Sequence, residues 1–211
     1  MLSKTVKRLV AVYSAAHFAV DLCCIMLVLP AARAASDKAM VLLIYNFCAF
    51  AMQLPAGVLA DRYGGGRYFS AIGCLLVALG GLLPSPMLTA IVCGLGNAAF
   101  HIGGGADVMA ATPGAKYLGI YVSPGAMGIF LGAMAAGTGR SFAAFALCLM
   151  LVCAAAVMLC CKDGARPGSP ELPQGRAQWL RLVSLFAVVA LRSYGGGIMS
   201  FPRKAGAGGG I

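Results

Sequence analysis

The feature that most constrains this chain is a succession of long apolar runs joined by very short links. Six runs are readable: Leu9 to Ala32, Ala39 to Ala60, Tyr68 to Leu83, Met87 to Ala111, Tyr117 to Thr138 and Ser141 to Cys161. The links between them read "RAASDK", "DRYGGGR", "PSP", "TPGAK" and "GR". A run of about 20 apolar residues matches the hydrocarbon thickness of a bilayer. In lipid every backbone polar group must pair internally, which only helices and closed barrels achieve. The runs lack strict alternation, so helices are expected, and short links make consecutive helices antiparallel neighbours. The expected fold is all-α: a polytopic transmembrane bundle of six helices plus part of a seventh. Composition agrees, with 61% hydrophobic residues, 10% charged residues and a mean hydropathy of +0.89. A soluble domain carries about 25% charged residues.

The segment 1–161 is therefore read as the six-helix bundle, and "KDGARPGSPELPQGRAQ" (162–178) as a polar cytoplasmic loop rich in Pro and Gly. Residues 179–201 start a seventh span that carries Arg192, and 202–211 form a basic, Gly-rich tail expected to be disordered. Lys4, Lys7 and Arg8 precede the first run, as in a signal peptide, but the run is too long and carries His17 and Asp21. A signal core has about 7–15 apolar residues. A retained helix is expected instead.

The net charge of +10 would suggest nucleic acid in a soluble protein, but here most cations lie between apolar runs. They read as topology signals, and no nucleic-acid partner is expected. With a cytoplasmic N-terminus, the inner side holds Lys4, Lys7, Arg8, Arg62, Arg67, Lys116, Lys162, Arg166, Arg176 and Arg181. The outer side of the six-span unit then holds Arg33, Lys38 and Arg140. This asymmetry favours N-in in a plasma or inner membrane. Arg203 and Lys204 fall outside if the seventh helix crosses, which runs against the same rule.

The nine cysteines sit in apolar runs or at their ends, without the CxxC spacing of a zinc site, and read as small hydrophobes. No metal set, cofactor motif, Walker loop or nucleophile-and-base arrangement is evident. An enzyme or an ATP-driven pump is not expected.

Polar groups inside a span are costly and tend to mark pathways. His17 and Asp21 stand i, i+4 on one face of the first span, near its midpoint. Asn46 and Gln53, seven apart, share a face of the second, and Asn97 and His101 repeat the i, i+4 spacing in the fourth. Asp107 points elsewhere, nearer the cytoplasmic end, and reads as a helix-end anchor. Two readings stay open for the rest. One is a polar cavity lined by spans one, two and four, in which a His–Asp pair suits proton coupling. The other is mutual satisfaction of polar groups between helices.

Glycine is abundant, with 29 residues. Gly103, Gly104 and Gly105 in the fourth span imply either close helix approach or a local break. In "SPGAMGIFLGAMAAG", Gly128 and Gly132 form a GxxxG step and Pro124 is expected to bend the helix.

The link "GVLADRYGGGR" resembles the signature loop between the second and third helices of major facilitator superfamily transporters. That pattern is Gly, three residues, Asp, a basic residue, any residue, Gly, then basic residues. Gly57, Asp61, Arg62 and Gly64 match in register, Gly65 and Gly66 replace the next basic residues, and Arg67 follows late. "SPGAMG" is loosely similar to the Pro-Gly motif of the family's antiporters. "HFAVD" and "GNAAFHIGGG" resemble the fosmidomycin-resistance branch. The resemblance implies that His17, Asp21 and His101 line a path, and that Asp61 and Arg62 latch one half of the transporter to the other. It implies a secondary transporter in the lipid bilayer, moving a small solute, with protons as the coupling ion and drug-like efflux as the direction. It covers about Val6 to Tyr194, one half of a two-half architecture, so a truncated or frame-shifted product is expected. A half-transporter working as a homodimer and an inert membrane fragment or interaction protein are the other readings.

Overall fold

The computed structural model describes residues 2–114 and 116–161, together with positions 175, 176, 179, 180, 183, 184 and 187. The chain divides into two units, Met1–Pro170 and Glu171–Ile211, and all that follows concerns the first. Apart from Gly175 and Arg176, the polar loop 162–178 lies outside the described residues. So do Arg192, most of the seventh span and the tail 202–211.

Every element of the first unit is helical: α1 (Lys4–Ala34), α2 (Lys38–Asn46), α3 (Gln53–Tyr63), α4 (Gly66–Gly80), α5 (Pro86–Ala111), α6 (Lys116–Ala136) and α7 (Ala143–Cys160). A π-helical stretch, Phe47–Ala51, joins α2 to α3, so the second expected span is one rod with a wide turn inside it. Local chemistry starts the helices where the links end. The Ser3 side chain accepts from the Val6 N–H, Asp37 from Met40 and Ser85 from Leu88. Each relieves one of the four unpaired donors of a first turn. Pro86 then occupies a position where its missing N–H is not needed. At the far end of α6, the Arg33 guanidinium donates to the Ala136 carbonyl at 2.5 Å, satisfying an orphan acceptor.

Five helical spans among the described residues are long and apolar enough to cross a bilayer: Lys4–Ala34, Lys38–Tyr63, Pro86–Ala111, Lys116–Ala136 and Ala143–Cys160. These are compatible with a multi-pass membrane protein. The expected third span is the exception. It appears as α4, apolar but 15 residues long, or about 22 Å at 1.5 Å per residue, against a hydrocarbon core of about 30 Å. The count of six full spans is therefore not met by helix length alone.

The bundle has two central helices. α1 packs on α6, α5, α7 and α2, and α5 packs on α4, α1 and the α2–α3 rod. The pairings follow a pattern. α1 meets α6 as α5 meets the α2–α3 rod, α4 meets α5 as α7 meets α1, and α1·α5 and α4·α7 close the set. Exchanging the first three spans for the last three leaves these main pairings unchanged. The core is correspondingly centred on α1, with Tyr13, Val20, Cys23, Cys24 and Val28 almost wholly enclosed.

Glycine sets the helix spacing. Gly66, Gly73 and Gly80 repeat every seven residues along α4 and meet Gly103, Gly96 and Cys93 of α5. A Cβ on Gly73 would lie 2.6 Å from the Gly96 carbonyl oxygen and the Phe100 nitrogen. α5 runs unbroken through Gly103, Gly104 and Gly105, so of the two readings of that triplet, close approach is the one observed. On α6, Gly128 and Gly132 lie against the Phe18 and Leu22 carbonyls of α1, which gives the GxxxG step its partner. All nine cysteines are free thiols, and most are buried among apolar side chains.

Candidate functional site

His17 and Asp21 on α1 meet Asn97 and His101 on α5, with Tyr121 and Gly125 of α6 closing the third side. His17 Nε2 lies 3.2 Å from Asp21 Oδ2. His101 Nε2 lies 3.8 Å from Asp21 Oδ1. Asn97 Nδ2 donates to Asp21 Oδ1 at 2.9 Å, which fixes the carboxylate plane. The two imidazoles stand edge to face with centroids 4.3 Å apart. Phe100 and Tyr121 complete an aromatic surround. His17, Asp21 and Asn97 are buried, and His101 is partly open.

The helices place these groups at one level. His17 and Asp21 straddle the middle of α1, Asn97 and His101 that of α5, and Gly125 lies beside that of α6. Gly125 makes room for them, since a Cβ on it would meet Asp21 Oδ2 and His17 Nε2. The preceding Pro124 lacks the N–H that would otherwise bond the Ile120 carbonyl. The Ser14 and Ser123 hydroxyls approach that oxygen at 3.3 and 3.5 Å. α6 continues through Pro124 without interruption.

The hydrogen bonds settle which ring nitrogen faces the carboxylate as an acceptor. His17 Nδ1 is 2.9 Å from the Tyr121 carbonyl oxygen, and His101 Nδ1 is 2.8 Å from the Asn97 carbonyl oxygen. A carbonyl can only accept, so both Nδ1 atoms carry the proton. Each neutral ring then presents the Nε2 lone pair to Asp21, itself an acceptor when ionised. His17 Nε2 and Asp21 Oδ2, 3.2 Å apart, are close enough to share a proton or another cation, while His101 Nε2 stands 3.8 Å from Asp21 Oδ1.

A second buried pair sits nearer the start of α1. Tyr13 Oη donates to Asp107 Oδ2 at 2.6 Å, and Asp107 also lies against Gly66 at the start of α4. Asp107 thus ties three helices near one end of the bundle, and it is not part of the histidine cluster.

Asn46 and Gln53 do not join the cluster. Asn46 is exposed, and half-buried Gln53 bonds back to the Ala49 carbonyl at 2.8 Å. Seven residues keep one face only at 3.6 residues per turn. The π-helical Phe47–Ala51 between them breaks that phase. The cluster is accordingly built by the first, fourth and fifth expected spans, with Tyr121 and Gly125 in the place expected of the second. Neither carried a polar side-chain signal of its own, since Tyr121 acts through its carbonyl and Gly125 by having no side chain.

In the signature-like link, Gly57 packs near Ile102, and Asp61 and Arg62 are exposed in the last turn of α3. Gly64 and Gly65 have φ of 67° and 80°, which favours glycine. Gly66 abuts the Gly103 backbone and Asp107, where no side chain fits. The turn geometry and this contact account for glycines where the family pattern has basic residues. The Arg67 guanidinium donates to Tyr68 Oη at 2.8 Å and lies over that ring. A separate cavity of about 300 Å³, lined by Met26, Pro30, Gly81 and Arg140, contains no residue of the cluster.

No family model, no curated protein and no solved structure matches the chain.

Proposed function

We propose that the chain is a bundle of the major facilitator type that carries a small organic solute across a membrane in exchange for protons. The observation that carries this reading is the buried His17–Asp21–His101 cluster at mid-length of three apolar helices. Ionisable groups are rarely placed at that depth without a transport or relay role. Secondary transporters concentrate their coupling sites near the bilayer midplane, at the interface of structural repeats. The pairing pattern of the bundle supports the reading, because two triplets of spans make the same contacts. With the short α4 counted as a crossing, the second triplet is inverted relative to the first, the nested repeat expected of one half of such a transporter. Asp61 and Arg62, exposed at the end of α3, are free of the cluster and suited to a latch.

In this mechanism Asp21 and His17 share the proton, Asn97 holds the carboxylate in plane and the Tyr121 carbonyl fixes the His17 tautomer. His101 is the member that a solute or water reaches. The test is flux in proteoliposomes with an imposed pH gradient and a panel of small organic efflux substrates. Wild-type chain dissipates the gradient on addition of a substrate, and Asp21→Asn does not. A flat wild-type response across the panel overturns the reading.

A further inference from the structure

We propose that His17, Asp21 and His101 form a binding site for a borderline divalent transition metal of the Zn²⁺ type. The inference stands on the geometry of the cluster and does not rest on transport. One ligand atom from each of the three residues can be chosen so that all lie within 4.8 Å of one another. Zinc held at about 2.0–2.1 Å in a tetrahedron keeps its ligand atoms roughly 3.3 Å apart. His17 Nε2 and Asp21 Oδ2 are already 3.2 Å apart, and binding at the third corner requires His101 Nε2, now 3.8 Å from Asp21 Oδ1, to move in.

The surroundings match what metal-binding histidines require. A ligating imidazole commonly donates its other N–H to a carbonyl or carboxylate, which fixes the tautomer and aims the lone pair. Here both do, His17 to the Tyr121 carbonyl and His101 to the Asn97 carbonyl. Asn97 Nδ2 plays the same part for the carboxylate. Two imidazoles and one carboxylate suit zinc, cobalt or nickel, whereas Mg²⁺ and Ca²⁺ prefer shells of oxygen. Three protein ligands leave a fourth position open, as in sites where zinc keeps a water. The His101 side chain is 21% exposed, which gives an ion a route in. Cys24 Sγ accepts from Asn97 Nδ2 at 3.8 Å and donates to the Cys93 carbonyl at 3.7 Å.

The test uses the full chain in detergent, without a polyhistidine tag, titrated with Co²⁺ and then Zn²⁺. Expected is uptake of a single Co²⁺ per chain, with tetrahedral d–d absorption, no sulfur-to-cobalt charge-transfer band, and displacement by Zn²⁺. His101→Gln weakens binding at least about 10–100-fold, the range already seen for loss of an outer-shell partner, while helix content by circular dichroism stays unchanged. The X-ray absorption spectrum of the wild-type zinc complex needs no variant. It should show a nitrogen–oxygen shell with imidazole scattering. No Co²⁺ uptake by the wild-type chain, wild-type affinity retained in both His101→Gln and Asp21→Asn, or a sulfur shell at the ion each overturns the proposal. A wild-type chain that binds metal but fails the flux test retains this site and loses only the transport reading.

Discussion

The α4–α5 seam and the α1–α6 seam both bring helix backbones together at glycines, and they use the space in opposite ways. Along α4, Gly66, Gly73 and Gly80 recur every seven residues: Gly73 presses on the α5 backbone, Gly80 on the Cys93 thiol, and Gly66 on the Gly103 carbonyl and the Asp107 carboxylate. At Gly73 backbone fills the gap, so no side chain fits there. Along α6, Gly128 and Gly132 do the same against Phe18 and Leu22, but one turn earlier Gly125 faces His17 and Asp21. There the missing Cβ is replaced by two polar side chains. The same residue type therefore closes one seam and opens a site in the other. Between Gly73 and Gly125, what differs is whether the facing helix offers backbone or ionisable side chains.

The largest effect is expected from Gly73→Val. With 2.6 Å to the Gly96 oxygen and the Phe100 nitrogen, the added side chain has nowhere to go. Overpacking costs of about 3 kcal/mol or more should abolish the monodisperse peak in size-exclusion chromatography. A normally folded Gly73→Val chain would show that the seam is not as tight as described.

Gly125→Ala sharpens the comparison from the other side. Its neighbours are side-chain ends, which can move, so a loss of about 1–3 kcal/mol is expected. The chain folds, but Asp21 and His17 are displaced. Cobalt uptake and gradient dissipation should fall together. A variant that keeps both would mean the cluster does not need the space of Gly125.

Tyr13→Phe removes the donor to Asp107, 2.6 Å away. Leaving a buried carboxylate short of a partner costs about 1–3 kcal/mol. Thermal unfolding in detergent should shift down, with Co²⁺ affinity unchanged because Asp107 lies outside the cluster. A change in Co²⁺ affinity would join the two polar groups that the structure separates.

Asn46→Ala is the smallest. The residue is exposed and touches no cluster member, so stability should change by less than about 0.5 kcal/mol and Co²⁺ binding not at all. A lost cobalt signal would place Asn46 in the site after all.

Much of the site was readable from spacing along single helices. His17 with Asp21, and Asn97 with His101, are i, i+4 pairs, and a regular helix puts such pairs on one face. That the two pairs meet was not readable, because 76 residues separate Asp21 from Asn97 and only packing joins them. The same spacing logic failed for Asn46 and Gln53, because the π-helical turn between them is invisible to a rule that assumes 3.6 residues per turn. The resemblance to a transporter link located Asp61, Arg62 and Arg67 but gave no reason for Gly65 and Gly66. That reason is a left-handed turn and a contact with α5.

The sequence by itself determined that the chain is a bundle of apolar helices, where most of them begin and end, and which faces carry ionisable groups. These follow from hydropathy, capping residues and helical period, all local quantities. The tertiary structure decided which faces meet. It alone set three acceptors around one point, used Gly125 to make room for them, and assigned each Nδ1 proton through a carbonyl. Such choices depend on contacts between residues distant in the chain, whose geometry no local period encodes.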